Sequence, residues 1–142
     1  MRYFDTSFLA PLIRQEAATE AVEAFMHRQR TGSLAASTWT RVELAAAIAR
    51  HVRMGSAHAT DARRALDEFD ATLERRFVVW RPDVEDYDRA RTCLLHFDAG
   101  LRSGDAMHLA IAANHDAELI SLDRVLLRAA RLLGINASHG IA

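Results

Sequence analysis

Short apolar runs of strand character alternate along the chain with stretches whose apolar residues recur at helical spacing, and this alternation limits the possible folds more than any other feature. Phe77-Val78-Val79-Trp80 is the clearest strand, rich in β-branched and aromatic residues, and Pro82 ends it. Arg2 to Asp5, Leu34 to Ser37 and Glu118 to Ser121 read as strands too, and Ile135 to Ser138 as a last, short one. Helical stripes fill the intervals: Phe8, Leu9, Leu12 and Ile13; Ala18, Val22, Phe25 and Met26; Trp39, Val42, Ala45, Ala49 and Val52, ending near Gly55. Ser56 is a candidate cap for the next stripe, Ala59, Ala62, Leu66, Phe69 and Leu73. Val84, Tyr87, Ala90, Leu94 and Phe97 mark another helix. Ser103 is placed to cap a helix reaching about His115, and Asp123 begins one that stops at Gly134. The pattern predicts an α/β fold of three layers, with a mostly parallel central sheet of four to five short strands covered on both faces. At 142 residues, with no visible repeat or linker, residues 1–142 read as a single domain.

Composition removes several chemistries. All 18 basic residues are arginine, so neither a P-loop lysine nor a Schiff-base lysine is available. A net charge of −1 argues against a general DNA-coating protein, and any nucleic-acid contact would need a local basic patch. No apolar run approaches the roughly 18 residues of a membrane span, and the charged start carries no signal-peptide core. The lone Cys93 cannot form an intramolecular disulfide, which fits a reducing cytoplasm best.

Open parallel sheets bind ligands beyond the carboxyl ends of their strands. Asp5 closes the first strand, and Asp123 lies just past the fourth. Asp105 sits in the first turn of its helix, where the helix dipole favours an anion. Glu43 lies inside a helix, at the edge beside Trp39. Each acid also has an ordinary reading: Asp5 and Asp123 as N-caps, Asp105 as a dipole complement, Glu43 as a solvated residue. Spacing alone does not bring them together.

Their local sequences add a pattern. Asp5-Thr6-Ser7 follows the first strand, and Ser37-Thr38 with Glu43 follows the second. The run from Leu101 to Ala110 contains Asp105, and the run from Ala117 to Asp123 closes on the last acid. In this order the set resembles the PIN domain, especially the VapC-type toxins of bacterial toxin–antitoxin pairs, over nearly the whole chain. The resemblance implies a three-layer PIN-like fold and an endoribonuclease. It implies that Asp5, Glu43, Asp105 and Asp123 converge to bind one or two Mg²⁺ or Mn²⁺ ions, with Thr6 and Ser121 in support. The family commonly carries threonine two residues before the last aspartate, where this chain has Ser121. Gly104 is smaller than many members carry, which would loosen the turn before Asp105. The resemblance also implies an RNA substrate, a cognate antitoxin and a homodimer.

The chemistry is consistent with such a role. Hard oxygen donors select Mg²⁺ or Mn²⁺ over zinc. Crowded carboxylates repel one another, so some should have raised pKa values without metal. Competing signals are weaker. No His-Glu-x-x-His or Cys-x-x-Cys is present among the seven histidines and single cysteine. Asp105, His108, Ala112 and His115 read as the polar side of an amphipathic helix, which gives His108 a peripheral role. Arg124, Arg128 and Arg131 form a basic stripe beginning beside Asp123, suited either to phosphate contact through Arg124 and Arg128 or to a solvated face. Trp39 and Trp80 suit core packing better than base stacking. Two other functions are consistent with the chain: a PIN-like module that binds RNA or protein without cutting, and a PIN nuclease of RNA processing. A phosphotransferase using Asp5 usually has a second acid two residues on, where this chain has Ser7.

Overall fold

A computed structural model describes residues 1–141. Five strands form one sheet: β1 (Arg2–Phe4), β2 (Leu34–Ser37), β3 (Val78–Trp80), β4 (Glu118–Ile120) and β5 (Ala137–Ser138). Their spatial order is β3-β2-β1-β4-β5, and every neighbouring pair is parallel. Among the described residues seven α-helices accompany them: α1 (Thr6–Leu9), α2 (Thr19–His27), α3 (Thr38–Arg53), α4 (Ala59–Arg76), α5 (Val84–Leu94), α6 (Ser103–Asn114) and α7 (Arg124–Leu132).

Side-chain alternation along the strands divides the core in two. Phe4, Leu34, Ala36 and Ile120 face one side, where they meet Phe8, Val22, Phe25, Leu44, Phe69 and Leu73 of the first four helices. Tyr3, Ala35 and Leu119 face the other, against Ala90, Leu109, Ile111, Leu126 and Ala130 of the last three. The sheet is thus the middle of three layers, as the alternating pattern predicts.

Two helices depart from their expected faces. On α3 the buried residues are Thr40, Leu44 and Ile48, while Val42 is 58% exposed and Ala45 and Ala49 face solvent. The larger Leu44 and Ile48 win the core, and Ser37, the N-cap of α3, fixes the rotation by accepting a hydrogen bond from the Thr40 N–H. The middle of α6 has no polar side: Ala106 through Ala112, His108 included, are all buried, and only its two ends reach solvent. A helix buried all round needs partners for each polar group it carries. His108 finds them in the Tyr3 hydroxyl, 2.8 Å from Nδ1, and in Glu43 at Nε2, while the exposed Asn114 at the helix end donates from Nδ2 to Asp86 of α5 at 2.8 Å.

Two expected caps are absent. Arg102, not Ser103, is the N-cap of α6, and it makes no side-chain cap bond. His58 precedes α4, while the Ser56 hydroxyl instead donates to the carbonyl of His51 at the end of α3. Asp5 and Asp123, by contrast, both act as N-caps, of α1 and α7.

Candidate active site at the carboxyl ends of β1 and β4

The chain runs outward from β1 to β2 and β3, then returns to place β4 on the opposite side of β1. Beyond the carboxyl ends of β1 and β4 the connections diverge, the place where open α/β sheets bind their ligands. Asp5 leaves β1 at this point, and Ser121 and Asp123 leave β4.

Asp5 is 3% exposed. Its Oδ1 accepts from the Phe8 N–H and from the Ser7 hydroxyl, both at 2.9 Å. Its Oδ2 accepts from the Ser121 hydroxyl at 2.6 Å and from Ser7 at 2.9 Å. Burial pushes the Asp5 carboxyl above its ordinary range, against the nearby His108 and these hydrogen bonds, which favour the anion. Ser7 is a residue whose part the sequence reading missed. Its oxygen also accepts from the Leu122 N–H at 3.0 Å, so it ties α1 to the turn after β4. The available signal was a hydroxyl two residues after an N-cap aspartate, a common local turn partner.

Glu43 points inward because Thr40, Glu43, Leu44 and Ile48 fall at i, i+3, i+4 and i+8 on the face that α3 buries. Its Oε1 accepts from the Thr6 hydroxyl at 2.7 Å and is paired with Nε2 of His108. Burial alone would raise this carboxyl, but hydrogen bonds and charge from His108, with the Thr6 bond, bring it below its ordinary range. Its Oε2 faces Gly104, where a β-carbon would lie only 2.6 Å away. Gly104 is therefore not a loosening of the turn: its missing side chain lets the start of α6 approach Glu43. Trp39 walls the same spot at 3.8 Å, packs against the core and keeps its ring nitrogen buried without a partner.

Asp105 is half-buried in the first turn of α6. Burial raises its carboxyl, and the negative charges of Asp123 and Glu43 add to the rise. These couplings link Asp105 to two of the other acids. Asp123 caps α7, with Oδ1 accepting from Val125 and Leu126 N–H groups at 2.7 and 3.2 Å. Among the described residues, no three His, Cys, Asp or Glu side chains stand close enough together to hold a metal ion as they are. Asp5, Glu43 and Asp123 are each turned to their own hydrogen-bond donors.

Arg124 and Arg128 lie exposed on α7, and the Arg128 guanidinium passes 3.7 Å from the position a Gly100 β-carbon would take, in the turn before α6. Trp80 stacks on Tyr3 at 5.7 Å between centroids, in keeping with core packing. No helix among the described residues is long and apolar enough to cross a membrane.

Known proteins provide a comparison for this geometry. No curated protein sequence matches the chain. Among solved structures, it is similar to the VapC20 toxin of Mycobacterium tuberculosis, at 17% identity and a TM-score of 0.75, over 91% of this chain and 95% of that one. VapBC-1 from nontypeable Haemophilus influenzae gives 16% identity and 0.70, over the full length of both chains. FitAcB from Neisseria gonorrhoeae gives 16% and 0.68, over 99% and 98%. At such identities the likeness establishes the fold. The sequence profile of the PIN domain matches residues 2–132, nearly the entire chain, and the protein belongs to the PIN domain family.

Proposed function

We propose that this protein is a metal-dependent endoribonuclease and the toxin of a toxin–antitoxin pair, acting in the cytoplasm as a single PIN domain. The observation that carries the reading is the placement of Asp5 and Asp123 beyond adjacent parallel strands at the reversal of the sheet, tied together through Ser121. Glu43 and Asp105 complete the proposed set from α3 and α6. The similar VapC20 is described as a sarcin–ricin loop cleaving toxin, and a similar structure from Klebsiella pneumoniae is a toxin–antitoxin complex. These support an RNA substrate and a cognate antitoxin here, and a homodimer is part of the same proposal.

The donor set fits Mg²⁺ or Mn²⁺ in kind, because hard carboxylate oxygens suit hard cations. The raised carboxyls of Asp5 and Asp105 also fit, since a cation relieves the cost of their charge. One or two such ions, when bound, would lower the pKa of a water and stabilise charge on the phosphate. The protein's own residues hold the carboxylates in place: Ser7 and Ser121 fix Asp5, Thr6 fixes Glu43, and the α7 N-terminus fixes Asp123. Arg124 and Arg128 are exposed and placed to meet phosphates beside Asp123. Hydrolysis with water as nucleophile would leave a 5′-phosphate and a 3′-hydroxyl.

The separated acids favour one alternative, a PIN module that binds RNA or protein without cutting. Incubating partner-free protein with total RNA, Mg²⁺ or Mn²⁺, an EDTA control and the Asp5→Asn variant decides between them. Fragments requiring both metal and Asp5 are expected. Intact RNA in every lane, with RNA still bound, selects the non-cleaving module. A nuclease of RNA processing outside a toxin–antitoxin system would cut in the same assay but would have no inhibitor encoded beside it.

A further inference from the structure

The geometry points to His108, oriented by Tyr3, as a positioning residue that holds Glu43 with one carboxylate oxygen pinned and the other turned toward the start of α6. This rests on reading Glu43 as a metal-facing carboxylate.

His108 is 2% exposed, and both of its ring nitrogens have partners. Nε2 meets Oε1 of Glu43, while Nδ1 lies 2.8 Å from the Tyr3 hydroxyl. An ionised carboxylate only accepts, so Nε2 carries the hydrogen. In the neutral ring, Nδ1 then accepts from Tyr3. The Tyr3 hydroxyl is fully buried and lies 2.8 Å from Ser37 Oγ, the N-cap of α3. Tyr3 therefore joins the cap of the helix that carries Glu43 to the helix that carries His108. Thr6 bonds the same Glu43 oxygen, so both contacts fall on Oε1 and leave Oε2 facing Gly104, one residue before Asp105. A buried histidine needing only satisfaction would not require this division of the two oxygens. Groups that orient metal-binding carboxylates typically contribute 10–100-fold to metal affinity.

The test is calorimetric titration of Mn²⁺ into the partner-free full chain, with ring-nitrogen NMR of the metal-free protein. Tyr3→Phe keeps the ring that stacks on Trp80 and removes only the hydroxyl; it should weaken Mn²⁺ binding roughly tenfold. His108→Leu should weaken it by about 10–100-fold, and His108→Gln, which can still donate to Glu43, should restore most of that loss. The spectrum should show a protonated Nε2. Unchanged affinity in Tyr3→Phe and His108→Leu overturns the positioning role, as does an Nε2 without hydrogen or a Gln variant no better than Leu. If His108→Leu does not fold, the Tyr3→Phe titration decides alone. A wild-type protein that binds no Mn²⁺ removes the nuclease reading and this role with it, a pattern distinct from tight wild-type binding that the variants leave intact.

Discussion

Ser121 Oγ donates to Asp5 Oδ2 at 2.6 Å and accepts from the Asp123 N–H at 3.0 Å, so one hydroxyl joins the acids that follow two adjacent strands. Removing it in Ser121→Ala leaves a buried carboxylate short of a donor. We expect a loss of about 1.5–3 kcal/mol in stability, the range for hydrogen bonds to charged groups. Ser121→Thr keeps the hydroxyl and should cost much less. Urea unfolding of both variants checks the difference, and equal midpoints would show that the bond contributes nothing.

Asp5→Asn should separate activity from stability. Asparagine is as good an N-cap as aspartate, and a neutral amide avoids the cost of burying a charge that already raises the Asp5 carboxyl. The fold should be kept, the relief of charge burial being set against the acceptor oxygen that the amide nitrogen replaces. Cleavage of RNA should fall at least about a hundredfold, on the scale of losing an electrostatic contact used in the transition state. Retained cleavage at wild-type rate would remove Asp5 from the site.

Gly104→Ala places a methyl group 2.6 Å from Glu43 Oε2. The carboxylate must swing aside, and Thr6 and His108 hold it where it is. The variant should lose about 1–3 kcal/mol, as overpacking does. Adding Glu43→Ala removes the obstacle, so the double mutant should be more stable than the sum of the single effects predicts, by at least about 0.5 kcal/mol. Strict additivity would mean that the two residues do not meet.

Stability should depend on pH with a definite sign. Asp5 and Asp105 have raised carboxyls, so their stabilising contribution is complete below the unfolded carboxylate range near pH ~4 and is lost as pH rises through their folded values. Glu43 is lowered and acts oppositely: its contribution is present above that range and lost as pH falls through its folded value. Above about pH 4 the Glu43 contribution is already present, so the two raised acids predict a metal-free melting temperature that declines as pH rises toward neutrality. Bound Mn²⁺ favours the ionised forms, so the melting shift it produces should grow over the same interval. A metal-induced shift that does not change with pH would contradict this.

Arg128→Ala should weaken RNA binding and reduce the slope of log affinity against log salt by about 1, the effect of losing one phosphate contact. Arg124→Ala should act similarly from the first position of α7. Unchanged affinity and slope in both would return the stripe to a solvated helix face.

Periodicity and local motifs, which act within a few residues, let the sequence by itself determine the order of elements, the three layers, the parallel sheet and the caps at Asp5 and Asp123. They also made four acids visible as candidates. Tertiary structure decided which way those acids face. Helix α3 offers two apolar stripes, and the size of Leu44 and Ile48 against the core, with the Ser37 cap, selected the one that turns Glu43 inward. The burial of α6 followed from packing on both sides, which a helix with a histidine at its centre and polar residues at both ends does not announce. The bond from Tyr3 to His108 spans 105 positions, and that from Ser121 to Asp5 spans 116. Contacts at such separations leave no local pattern, because they exist only once the sheet has brought its strands together.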